Sequence, residues 1–243
     1  MTIFDDLQAE LDRLDTILAG LDDAQWSSPS AAAGWSVADT VLHLAQSEEG
    51  VLSSAAGSVL RSTLPGGDGV DDIMGRFVEA ERDDPAQIFQ RWRAARAAAL
   101  AALRAADPKQ QMSWINTPLR PATLATTRLA EHWAHGLDIT GPLGIPFPDT
   151  SRLRHIAWLA HRTLPYAFGL TGQPAAEVYC DLTAPGGGER WQYGPRGADS
   201  VVTGTAAAFC RVAARRLRPE ESGLQATGPH GDAALRVLRT YAA

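Results

Sequence analysis

Leu129-Ala-Glu-His-Trp-Ala-His135 is the stretch on which the fold turns. Glu131 and His135 stand four residues apart. A helix puts such residues on one face with Cβ atoms about 5–6 Å apart, so both side chains can reach one ion. A carboxylate and an imidazole are ordinary ligands for zinc and similar divalent metals. The same spacing also fits a solvated helix face bearing a Glu–His hydrogen bond. Thr127, Arg128 and Asp138 share that face, and Asp138 could accept from His135 and fix the tautomer of a ligating imidazole. His132 points about 100° away from Glu131, which suits a packing or surface histidine.

Upstream, His43 lies on a second helix that starts after Gly34-Trp35. Ser36 suits its N-cap and Asp39 the acidic position of a capping box. Val37, Val41, Leu44 and Ala45 form its apolar stripe, and His43 falls on the other side with Thr40 and Ser47. That side faces either solvent or a polar pocket. Three ligands from two helices leave coordination positions for water or substrate, as in catalytic rather than structural metal sites. Other helices are predicted over 4–21, from the leucines at 7, 11, 14, 18 and 21, over 86–105, over 121–136 and over 151–167. Leu64-Pro-Gly-Gly-Asp-Gly69 reads as a breaking loop. A helical bundle over 1–168 follows, with short connections and no sheet.

After Gly169 the pattern changes. Val178, Cys180 and Leu182 alternate with polar residues, Pro185-Gly-Gly-Gly188 reads as a turn, and Arg190-Trp-Gln-Tyr193 and Val201-Val202 read as further strands. Helices are predicted from Thr205 to about Leu217 and from Asp232 to Tyr241. Residues 169–243 are therefore expected to form a small α+β domain, an antiparallel sheet backed by two helices.

Composition removes several classes of function. A net charge of −6 without a basic run argues against a nucleic-acid partner. No apolar run reaches the 18 or so residues that span a bilayer, and the acidic start has no signal-peptide core. Cys180 and Cys210 are the only cysteines and fit no metal-finger spacing. Both are expected to be inert core residues of a reduced, cytoplasmic protein. The seven tryptophans, 26, 35, 92, 114, 133, 158 and 191, are expected to pack in cores. A homodimer is compatible with the sequence.

Gly34-Trp-Ser-Val-Ala-Asp-Thr-Val-Leu-His-Leu-Ala45, with the downstream Glu-x-x-x-His, resembles the mycothiol-dependent maleylpyruvate isomerase family of the DinB-like superfamily. The resemblance implies a DinB-like four-helix metal-binding bundle over 1–168 and a small sterol-carrier-like α+β domain over 169–243. It implies His43, Glu131 and His135 as ligands to a divalent metal, with zinc expected and nickel fitting the same donors. Mycothiol is the implied thiol and an electrophilic small molecule its reaction partner. The run Trp133-Ala-His-Gly-Leu-Asp-Ile139 resembles an uncharacterised metal-binding branch, so the isomerase reaction itself does not carry over. In the isomerase an arginine of the C-terminal domain approaches the metal pocket, and Arg215 and Arg216 fall in the matching region. Either could clamp a substrate carboxylate, or they could simply complement a helix C-terminus. Two other functions fit the same residues. One is a binding module with a structural metal and an apolar ligand in the C-terminal domain. The other is a metal-dependent hydrolase with Asp138 as base.

Overall fold

The computed structural model describes residues 2–57, 70–115 and 117–241. Packing divides the chain into two compact units, one running to Phe147 and the other spanning Pro148–Tyr241. The division falls upstream of residue 168, because the stretch expected as one helix over 151–167 groups with the sheet. The Leu64–Gly69 loop lies outside the described residues.

In the first unit, α1 (Ile3–Leu18) opens on a capping box between Thr2 and Asp5 and buries Leu7, Leu11, Leu14 and Leu18. A short α2 (Asp23–Ser27) leads to α3 (Val37–Ala55). Ser36 and Asp39 form the expected capping box, each side chain accepting from the other's backbone N–H at 3.0 Å. Arg82 then pairs with the Asp39 carboxylate at 2.7 Å. α4 (Val70–Ala80) follows, then α5 (Pro85–Ala105), whose N-cap Asp84 accepts from Ala86 N–H. α6 (Pro121–Leu143) starts on a proline, which needs no N–H there. It packs on α1, α3 and α5, while α3 packs on α2, α4, α5 and α6. Among the described residues of this unit, β pairing is limited to two isolated bridges, Pro29–Ser36 and Met112–Leu119.

α6 runs past its expected end at Gly136. It stops at Gly144, whose φ of 65° supplies the left-handed cap. Gly136 has a packing role instead: a Cβ built on it would meet Phe147 Cζ at 2.5 Å. The Arg13 guanidinium covers the Phe147 ring at 3.4 Å.

The second unit holds α7 (Leu153–Arg162) and α8 (Leu164–Leu170), where one helix was expected. The break is at Thr163, where Pro165 enters the first turn of α8 and Thr163 Oγ1 donates to Arg239 O. β1 (Val178–Thr183), β2 (Arg190–Tyr193), β3 (Ser200–Thr205) and β4 (Gln225–Thr227) form one sheet in the order β2-β1-β3-β4. The expected antiparallel sheet is mixed: β1 pairs antiparallel with β2 but parallel with β3. The glycine turn makes the β1–β2 hairpin. The chain then crosses to the free edge of β1, so β3 arrives running the same way, and alternation along a strand carries no record of strand order. Thr205 caps α9 (Ala206–Ala213) and α10 (Gly231–Val237) follows β4. Val178, Cys180 and Leu182 are buried on one face of β1.

Candidate metal centre

The two long central helices of the first unit supply the candidate ligands. With four helices around it, α3 is buried on nearly every side over its first half, so His43 is only 8% exposed although it lies off the Val37/Val41 stripe. Glu131 and His135 project from adjacent turns of α6. Glu131 Oε2 stands 3.8 Å from His43 Nε2 and 3.6 Å from His135 Nε2. One ligand atom from each residue lies within 4.8 Å of the other two. These gaps are long for hydrogen bonds. They suit a shared ion, since two ligands each about 2.0–2.1 Å from zinc at a tetrahedral angle are about 3.3 Å apart.

The orientation of His135 is fixed from below. Its Nδ1 donates to Asp138 Oδ2 at 2.9 Å, because a carboxylate can only accept. Nε2 is thereby turned toward Glu131. Burial lowers the pKa of His43 and favours its neutral form. Burial also acts against a charged His135, but Asp138 and Glu131 outweigh it and raise that pKa. For Glu131 burial alone would raise the pKa, and the two imidazoles instead hold it well below the usual carboxylate range. The donor set of two imidazoles and one carboxylate fits a divalent ion.

Two features beside the triad left no trace in the sequence pattern. Trp35, read as core packing, lies against both imidazoles, with ring centroids 5.0 Å from His43 and 6.3 Å from His135. His132, read as a packing or surface histidine, is wholly buried in a polar layer. Its Nδ1 donates to Arg128 O at 2.9 Å and its Nε2 accepts from Trp92 Nε1 at 3.2 Å. Burial, then the Arg128 charge, lowers its pKa to about 3. Arg128 Nε in turn donates to Glu48 Oε1 at 2.8 Å.

The remaining candidates belong to the second unit. Arg215 is exposed and adopts a φ of 61° just past α9. Arg216 donates from its backbone to Arg211 O and from Nη1 to Ala214 O at 2.6 Å, as a cation at a helix C-terminus does. Cys180 and Cys210 are buried, and burial pushes the Cys180 thiol up to about 12. Neither is poised as a nucleophile. No helix among the described residues is long and apolar enough to cross a membrane.

The family described as Mycothiol maleylpyruvate isomerase N-terminal domain matches residues 7–140, which include all three triad residues. Two uncharacterized proteins of Mycobacterium tuberculosis are each 32% identical over 242 residues, covering 98% of this chain and 94% of the relative. Two solved structures share the fold. A histidine-to-alanine mutant of the mycothiol-dependent maleylpyruvate isomerase has a TM-score of 0.64 at 14% identity. The same isomerase without that mutation has a TM-score of 0.62 at 15% identity. Each comparison covers 93% of this chain and 91% of the other.

Proposed function

The chain belongs to the family of the mycothiol maleylpyruvate isomerase N-terminal domain, and from that premise we propose that it binds one divalent ion through His43, Glu131 and His135 for use on a low-molecular-weight thiol. The thiol is mycothiol, and its reaction partner is an electrophilic small molecule. The observation that carries this proposal is the triad itself, whose ligand atoms lie within 4.8 Å of one another on two packed helices. Zinc suits the donors, and nickel fits them as well. His43, Glu131 and His135 would hold the ion, which when bound would favour the thiolate form of a thiol beside it, and thiolate is the nucleophile. Isomerase and S-transferase activities share that requirement.

The chain's own residues do the rest. Asp138 holds His135 with Nε2 facing inward, and Trp35 shields both imidazoles and restricts their swing. Because Asp138 is engaged by His135, it is poorly placed to serve as the base of a hydrolase. Arg216, with Arg215 as the second candidate, is assigned to hold an anionic group of the substrate, an orienting role. In domain terms the proposal is a DinB-like bundle followed by a sterol-carrier-like domain, in a cytoplasmic protein.

Calorimetric titration with zinc and then mycothiol tests it. His135→Ala should lose both zinc and thiol binding. Arg216→Ala should keep zinc and bind the anionic ligand more weakly. Undiminished thiol binding by a metal-free His135→Ala chain would overturn the proposal.

A further inference from the structure

Next to the triad lies a layer of buried polar groups to which the proposed thiol chemistry assigns nothing. Glu48 on α3 and Arg128 on α6 are each 2% exposed and paired at 2.8 Å. Trp114 lies under the guanidinium, with its ring centroid 5.6 Å from Cζ. Arg128 Nη2 is buried and makes no hydrogen bond among the described residues. On its other side His132 donates to the Arg128 carbonyl and accepts from the Trp92 indole, so α5 and α6 are tied through it. Arg128 precedes Glu131 by three residues, about one turn along the same face of α6.

Stability is a weak reason for such a pair. Replacing a buried ion pair by apolar residues of similar size is often neutral or stabilising. The pair's position supplies another reason. The Arg128 charge reaches both His43 and Glu131. An uncompensated guanidinium this close would repel a divalent ion, and strongly so in a medium of low dielectric. Burial raises the pKa of Glu48 against the pull of the adjacent guanidinium; paired with Arg128 at 2.8 Å, its carboxylate is placed to offset that repulsion.

We propose that Glu48 and Arg128 are positioning residues of the metal centre. Glu48 neutralises Arg128 toward the ion, while His132 and Trp92 fix the register at which α6 presents Glu131 and His135 to His43. This rests on the metal proposal above, and the test separates the two.

The zinc affinity of the full chain is measured by chelator competition for the wild type, Glu48→Gln, Glu48→Asp and the double variant Glu48→Gln/Arg128→Gln. Far-UV circular dichroism is recorded on each. Glu48→Gln should weaken zinc binding about tenfold to a hundredfold, the range found when a ligand's supporting partners are removed. Glu48→Asp should lose less, because the charge remains. The double variant should recover most of the affinity, because the repelling charge has gone with its partner. A pair that served packing alone would leave the double variant as weak as the single one or weaker. Wild-type affinity in Glu48→Gln, or a double variant that binds zinc no more tightly than the single one, overturns the proposal. Should Glu48→Gln not fold, a folded double variant near wild-type affinity supports the proposal, and one that has lost zinc overturns it. A wild-type chain that takes no zinc overturns the metal reading instead.

Discussion

Asp138 shows how much of the centre one helix can carry. Three residues beyond His135, it stands on the same face and accepts from Nδ1 at 2.9 Å. Asp138→Asn keeps the size but can turn an amide N–H toward the imidazole, and zinc affinity should fall about tenfold to a hundredfold with the fold intact. Unchanged affinity in a competition titration would remove Asp138 from the centre. The clustering of Glu131, His135 and Asp138 was legible because helical spacing alone brings them together. The direction of His43 was not, since a helix wheel cannot say whether a polar side faces water or a second helix. His132, expected as a packing or surface histidine, is the packing kind, and its burial has a consequence in acid. Unfolded, a histidine titrates near 6.5; folded, His132 does so only at about 3. Between those values the unfolded chain binds a proton that the native chain refuses, so stability falls as pH drops through this window. Urea unfolding at pH 7 and pH 5 should show the loss, and His132→Gln should show a smaller difference between the two.

At the scale of elements, the helix starts were easier to read than the helix ends. Ser36 and Asp39 mark the start of α3 by side-chain chemistry present in the sequence, and Ser36→Ala should lower stability by about 1 kcal/mol. Gly136 looked like a terminator of α6 because glycine so often ends helices. Its purpose is the close approach of Phe147, a contact eleven residues away that no local pattern encodes. Gly136→Ala sets two effects against each other. Helix propensity favours alanine by about 1 kcal/mol, whereas overpacking against Phe147 costs about 1–3 kcal/mol. Net destabilisation is expected, read as a lower urea midpoint. A more stable Gly136→Ala variant would show that Phe147 yields easily. α2 and α4 went unread because a five-residue helix has too few turns for a period, and α4 follows directly on the Leu64–Gly69 glycines.

For the whole molecule, two compact units with the triad confined to one of them make metal binding a local stabiliser. His43, Glu131 and His135 all precede Phe147, so the free energy of binding enters through α3 and α6 and the helices packed on them. A ligand that binds only the native state at a hundred times its Kd adds about 2.7 kcal/mol. An increment of that size slows the exchange of amides that open by unfolding of the first unit by about a hundredfold. Hydrogen exchange with zinc, and again after chelation, should therefore show added protection in 37–55 and 121–143. The strands at 178–183 and 200–205 should exchange at unchanged rates. Equal protection of both units would mean that they unfold together, and the ion would then stabilise the chain globally. No change in either unit at saturating zinc would leave the three side chains without a metal to hold, and the buried polar layer beneath them without its proposed purpose.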